Sequence, residues 1–407
     1  MKRAYMFNTG CIRRGLDCTR LHRYLQENGW SFTQRIRAAD LVLVSTCGTI
    51  KKNERLSLAA IKKISKKRPD HAKVIITGCL PKINPDSIRE LGDFDYIPTR
   101  EMDNLDALLG SEVKLADIPD ANLVSNELGF LDFVLAYRLF RNSYSLNLYT
   151  KLSTSQAFNK LCVFVGDTGN LFKSKLGMAR RQKIVPYYNL RIAEGCSFGC
   201  TYCAIRFATG RLTSKPIDQI MQEFRVGLRE GHKQFQLVAE DTGCYGIDIG
   251  LTIVDLLKRM LEVEGDYQLL LVDFCSYWLV KYYNELFPLF SDNRCKIKEI
   301  YVSLQSGSNK ILKAMRRPEK SEDVRDKLKH LHEHIPEINL RTTVILGFPG
   351  ETEDDFMETV GAIKELPFSE VQLNKYEDRP GTVSSKMKDK IPQDVIDKRY
   401  DYIKQYC

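Results

Sequence analysis

Residues 190–203 read LRIAEGCSFGCTYC. A short run of strand-forming residues leads into a tight loop, which Gly195 and Gly199 make possible and which carries Cys196, Cys200 and Cys203. Three thiolates at this spacing suit an iron–sulfur cluster. A cubane has four irons, so three protein ligands leave one iron open to bind a further ligand. A zinc knuckle is the competing reading, but such sites use a fourth Cys or His nearby and none follows here. Tyr202, just before the last cysteine, is placed to shield the cluster.

The loop follows the first of six apolar or β-branched runs, at 187–193, 234–240, 268–274, 297–304, 338–346 and 369–376. Stretches with helical spacing separate them, at 216–230, 251–263, 279–290, 309–333 and 352–365. Regular strand–helix alternation predicts a parallel sheet. Six units predict a partial (β/α)6 TIM-like barrel, whose active site lies at the C-terminal ends of the strands. The cysteine loop sits at such an end.

The first hundred residues repeat the pattern on a smaller scale. KRAYMFN ends near Cys11, DLVLVST at Cys47 and KVIITG at Cys79, with helical spacing over 16–29 and 52–67. This predicts an α/β domain with a doubly wound parallel sheet. Its strand C-termini share one edge, so the three cysteines converge there. Three thiolates on one edge suit a second iron–sulfur cluster, with zinc as the alternative metal. The chain thus divides into an auxiliary domain at 1–119, a linker or substrate-docking insertion at 120–185, and a barrel at 186–407.

Composition is ordinary for a globular protein of 407 residues, 43% hydrophobic and 28% charged. Twelve cysteines are unusual and point to metal or redox chemistry in a chain with no recognisable secretory leader. Cys18, Cys162, Cys275, Cys295 and Cys407 lack partner spacing and read as ordinary thiols. No run approaches the roughly 18 apolar residues of a membrane helix, so a soluble, cytoplasmic protein with no membrane partner is expected. The net charge of +9 admits a phosphate-bearing partner.

The C-x3-C-x-aromatic-C loop resembles the signature of the radical S-adenosylmethionine (SAM) enzymes. AEDTGCYGIDIG (239–250), VSLQSGSNKILKAMRRP (302–318), TTVILGFPGETEDDF (342–356) and NKYEDRPGTVSSKM (374–387) resemble, more narrowly, the methylthiotransferases. So does the N-terminal GC…STC…TGC pattern. The resemblance implies a SAM-cleaving 4Fe-4S cluster on Cys196, Cys200 and Cys203, and an auxiliary 4Fe-4S cluster on Cys11, Cys47 and Cys79. It implies that one SAM methylates a cluster-bound sulfur and a second yields a deoxyadenosyl radical, inserting a methylthio group into a C–H bond. An electron donor such as flavodoxin or ferredoxin is implied too. Expected SAM contacts are Glu240, Asp241, Ser303, Gln305, Ser306, Arg341 as a fork on the SAM carboxylate, and the Gly347–Gly350 backbone beside the adenine.

Three departures qualify the match. The chain stops at Cys407, leaving no room for the family's small basic β-barrel (the TRAM domain). The family's Gln-Asp pair is Glu240-Asp241 here, and residues 120–185 match nothing in it. The acceptor favoured on these grounds is a peptide or biosynthetic small molecule. tRNA is the alternative, on the charge and basic clusters such as Arg180–Lys183. Other radical SAM sulfur insertion, or a non-catalytic cluster-binding scaffold, stands behind both.

Overall fold

The computed structural model describes residues 2–124 and 187–407. Nearly all of the expected 120–185 insertion, with Cys162 and the Arg180–Lys183 cluster, lies outside the described residues. The chain forms two units, one mostly N-terminal to Pro186 and one running mostly from Tyr187 to Cys407.

The first unit is a five-stranded parallel sheet. Its strands are β1 (Arg3–Asn8), β2 (Ser31–Phe32), β3 (Leu41–Thr46), β4 (Lys73–Gly78) and β5 (Asp95–Pro98), in the order β2-β1-β3-β4-β5. Alternation along β3 explains the doubly covered sheet. Leu41 and Leu43 join a core with Leu21, Tyr24 and Leu25 of α1 (Ile12–Glu27). Val42 and Val44 join a separate core with Ile61 and Ile64 of α2 (Lys51–Lys67). Period-two side chains thus supply two faces, and each takes its own helix. The short β2 and β5, which flank the three strands read from the sequence, are too brief to stand out as apolar runs.

The second unit is a six-stranded, all-parallel sheet. It comprises β6 (Tyr188–Arg191), β7 (Gln234–Val238), β8 (Gln268–Cys275), β9 (Ile297–Gln305), β10 (Asn339–Leu346) and β11 (Glu370–Lys375), each hydrogen-bonded to its sequence neighbour. Between them lie α3 (Ile217–Arg229) and α4 (Ile253–Leu261) as expected. The stretches 279–290 and 309–333 each divide into two helices. These are α5 (Ser276–Lys281) with α6 (Tyr283–Asp292), and α7 (Asn309–Ala314) with α8 (Ser321–His334). The second break has a clear cause. Pro318 has no N–H to give and disfavours helical backbone at Arg317, while Arg316 is left-handed at φ 58°. α9 (Glu353–Glu365) and α10 (Gln393–Ile403) complete the unit.

Candidate active site

In the first unit, Cys47 follows β3 and Cys79 follows β4, and the residues just before them, Thr46 and Gly78, are register partners. Cys79 N–H donates to the Thr46 carbonyl at 3.0 Å. Gly78 must be glycine: its φ is +93°, and a Cβ there would lie 2.3 Å from the Thr46 oxygen. Cys47 N–H donates to Ser57 Oγ at 3.0 Å, and Ser57 Oγ bonds Thr9 Oγ1 at 2.8 Å. That relay ties the end of β3 to the turn carrying Cys11, which caps α1. The expected convergence on one edge is therefore present in the backbone. Asn53 Nδ2 lies 3.6 Å from Cys47 Sγ. Asn8, buried at the end of β1, has an Nδ2 donor with no partner. An unpartnered donor held dry at the end of β1, three residues before Cys11, fits a site that presents further acceptors, as cluster sulfides do.

In the second unit, Cys196, Cys200 and Cys203 lie on the loop after β6. Gly195 opens the loop at φ +75°, where a Cβ would meet the Arg211 carbonyl oxygen at 2.1 Å. The Gly195 N–H donates to Glu240 Oε2 at 2.7 Å, just past β7. The far side of the loop is pinned to the end of α7. Thr201 N–H donates to the Met315 carbonyl at 3.1 Å, and Thr201 Oγ1 to the Ala314 carbonyl at 2.9 Å. Phe198 packs against Tyr277 and Trp278, each with ring centroids 5.5 Å away. Tyr202 packs with Ile311, Met315, Phe348 and Tyr376.

The thiols fit a cluster electrostatically. The Cys196 thiol is pushed up by its hydrogen bond with Cys244, then by burial. Burial raises Cys200, against the opposing pull of Arg317, and raises Cys203 to about 12. Three anions so close together on a half-buried loop are disfavoured unless metal cations neutralise them. Backbone N–H groups already reach the sulfurs, Phe198 to Cys196 at 3.3 Å and Ile205 and Arg206 to Cys203. No three His, Cys, Asp or Glu among the described residues are grouped to share one ion. A cubane does not require that, because each thiolate takes its own iron.

The expected SAM contacts fare unevenly. One Glu240 oxygen braces the cysteine loop. Asp241 is removed from the role: its carboxylate accepts from Gly243 N–H at 3.0 Å, Cys275 N–H at 3.1 Å and Trp278 Nε1 at 2.8 Å. Burial lifts its pKa to about 6 against those donors. Arg341 is removed as well, since its guanidinium pairs with Glu299 and Glu370, both at 2.8 Å. It also lies over the Tyr301 ring, 5.0 Å from its centroid. Ser303 contributes its carbonyl, which accepts from Arg317 and Ser276. Ser306 Oγ is taken up by Thr359 and the Ser308 N–H. Gln305 is the best preserved expectation. It is buried and left-handed at φ 68°, and its Oε1 has no partner. Gly347 N–H donates to Glu351 Oε2 at 2.8 Å. Gly350 and Pro349 line a cavity of about 480 Å³ with Lys310, Ile311, Ala314 and Met387.

Sequence reasoning missed Arg317, Cys244 and Cys275. Cys275, read as an ordinary thiol, is a buried neighbour of Asp241 and Arg317.

Similarity to known proteins agrees with this geometry. Residues 190–363 match the radical SAM superfamily, and residues 3–97 match the uncharacterized protein family UPF0004. The chain is 29% identical to the ribosomal protein uS12 methylthiotransferase RimO of Carboxydothermus hydrogenoformans, covering 98% of this chain and 80% of that protein. In fold alone it is similar to the radical SAM methyltransferase TsrM of Kitasatospora setae, at TM-score 0.60 and 13% identity, over 95% of this chain and 77% of that one. It is also 30% identical to a probable threonylcarbamoyladenosine tRNA methylthiotransferase of Pyrococcus horikoshii, over 98% of this chain and 82% of that protein. A relative this similar over nearly the whole of this chain, joined to two cysteine triads at strand ends, places the chain in the radical SAM methylthiotransferase family.

Proposed function

We propose that this chain methylthiolates an adenosine derivative of tRNA, of the threonylcarbamoyl kind. As a radical SAM transferase it works with SAM and 4Fe-4S clusters, which supply when bound the radical that activates a C–H bond and the sulfur that is transferred. In this reading Cys196, Cys200 and Cys203 hold the SAM-cleaving cluster, and Cys11, Cys47 and Cys79 hold the auxiliary one. Gln305 offers its unpartnered Oε1 to a donor on SAM. The loop through Pro349 and Gly350 walls the cavity where an adenine would rest. The chain's own residues orient these groups and exclude water, through the Phe198–Tyr277–Trp278 wall above all. A one-electron donor such as flavodoxin or ferredoxin in the cytoplasm completes the system.

The observation that carries the tRNA reading is the outer face of α2. Lys52, Arg55, Lys62 and Lys66 are exposed at successive intervals of three, seven and four residues, so they line one side of the helix. They run for about 21 Å at the rise of an α-helix. The helix's single carboxylate, Glu54, is buried. A row of cations along one helix face, with no exposed carboxylate on the helix, suits a phosphate backbone. Relatives named for threonylcarbamoyladenosine tRNA at 30% and 29% identity support the same acceptor. Relatives named for uS12 support a second reading, a ribosomal-protein acceptor; the peptide or biosynthetic small molecule favoured on sequence grounds is not confirmed by these names.

The test is anaerobic reconstitution followed by incubation with SAM, reductant and either threonylcarbamoyladenosine-bearing tRNA or uS12. A mass increase on the tRNA nucleoside equal to replacing one hydrogen by a methylthio group is expected. Modification of uS12 alone would overturn the tRNA reading.

A further inference from the structure

Arg317 is a buried cation beside the cysteine loop. Its position follows from the break between α7 and α8. Arg317 N–H donates to the Leu312 carbonyl at 2.9 Å, and left-handed Arg316 turns the chain just before it. The same end of α7 receives both bonds from Thr201, so Arg317 and Cys200 are carried by segments clamped together. The guanidinium is fixed on one side. Nε donates to Glu319 Oε1 at 2.7 Å, and Nη2 to the Ser303 carbonyl at 2.6 Å and Ser276 Oγ at 2.9 Å. Ser276 Oγ in turn donates to Glu319 Oε1 at 2.6 Å. On its other side lies the cysteine loop, clamped to the same helix end through Thr201, and the guanidinium charge acts on Cys200, Tyr202 and Cys275.

Stability does not account for this arrangement. Both side chains of the Arg317–Glu319 pair are almost wholly buried, at 5% and 1% exposure. The second carboxylate oxygen of Glu319 has no partner at all. A buried ion pair left partly unsatisfied is generally no more stable than an apolar pair of the same volume. The pair is, however, a fixed dipole held on a segment clamped to the cysteine loop. Reduction adds negative charge to an iron–sulfur cluster, so a positive charge held near a ligating sulfur favours the reduced state.

We propose that Arg317 is a positioning residue whose guanidinium, anchored by Glu319, Ser276 and the Ser303 carbonyl, holds a positive charge beside the Cys200 loop and raises the reduction potential of the cluster on that loop. This rests on the reading that Cys196, Cys200 and Cys203 hold a cluster. Arg317 eases entry of the electron, and Glu319 holds the guanidinium in register.

The test uses the full-length chain with Cys11, Cys47 and Cys79 replaced by Ala, so that one cluster remains. In that background, Arg317→Met with Glu319→Gln removes the dipole without leaving a lone buried charge. Arg317→Lys keeps a cation but loses the fork. Iron content and the midpoint potential, followed by electron paramagnetic resonance without SAM, are compared with the parent. The double variant is expected to keep its iron and to show at least a tenfold smaller reduced-to-oxidised ratio at fixed potential. For one electron that is a shift of about 59 mV to the negative side. Arg317→Lys is expected to fall between. An unmoved midpoint with full iron overturns the proposal, as does loss of iron from both variants, since Arg317 would then be structural only. A parent without iron instead refutes the underlying ligand assignment.

Discussion

At the scale of single residues, the cysteine loops are specified as much by the glycines before them as by the thiols. Gly195 precedes Cys196 and Gly78 precedes Cys79, and each sits in left-handed backbone against a carbonyl oxygen. Gly195→Ala must move the backbone at Arg211 or abandon the loop. Its expected outcome is loss of about half the iron bound by the reconstituted wild type, measured by colorimetric iron assay with far-UV circular dichroism unchanged. Retention of full iron would show that the loop relaxes around a methyl group. Asp241 and Arg341 give the opposite lesson. Charged residues at strand ends resemble ligand contacts in a sequence, yet their partners come from neighbouring strands and from the Trp278 indole, which no spacing rule predicts.

At the scale of elements, α9 shows how a motif quoted for its glycines also builds a helix. Thr352 and Asp355 form a reciprocal capping box, and Asp355 also accepts from Ser308 Oγ at 2.7 Å and Lys310 Nζ at 2.6 Å. Burial alone would raise the Asp355 pKa, but the bonds from Lys310, Ser308 and Thr352 outweigh it and hold the carboxyl below its ordinary 3.8. The folded state therefore binds this proton less readily than the unfolded one. The stabilisation is present above pH 3.8 and is lost as pH falls through the lower folded value. Asp355→Ala is expected to cost about 2 kcal/mol at neutral pH. The gap from wild type in urea denaturation should narrow below pH 3.8. A gap independent of pH would assign the cost to packing. For α2 the prediction concerns RNA: Lys62→Glu with Lys66→Glu should weaken tRNA binding regardless of sequence. It should also flatten the slope of log affinity against log salt by about two, one for each phosphate contact. Filter binding from low to moderate salt measures both. An unchanged slope would detach α2 from the acceptor.

At the scale of the whole molecule, the two units carry separate cysteine triads on separate parallel sheets. Each triad is fixed by strand ends within its own unit. Replacing Cys11, Cys47 and Cys79 together by Ala should remove about half the iron and leave SAM cleavage to deoxyadenosine intact, while replacing Cys196, Cys200 and Cys203 should remove the other half and abolish cleavage. Iron analysis paired with chromatographic detection of deoxyadenosine decides the matter. Loss of all iron from either variant would mean that the sites are not independent. Among the described residues no helix is long and apolar enough to cross a membrane.

The sequence by itself determined the strand–helix alternation of both units, the six barrel strands to within a residue or two at most ends, and the six cysteines at strand ends. These are local matters, set by periodicity and by glycines that permit one backbone geometry. The tertiary structure alone decided which polar groups remain available to a ligand. Asp241 and Arg341 are consumed by neighbours distant in sequence, Gln305 is left with an open oxygen, and Arg317 is brought beside Cys200 by the turn at Arg316 and Pro318. Hydrogen-bond partners are allotted by packing across strands and loops, and a buried polar group takes whatever partner the fold brings within reach.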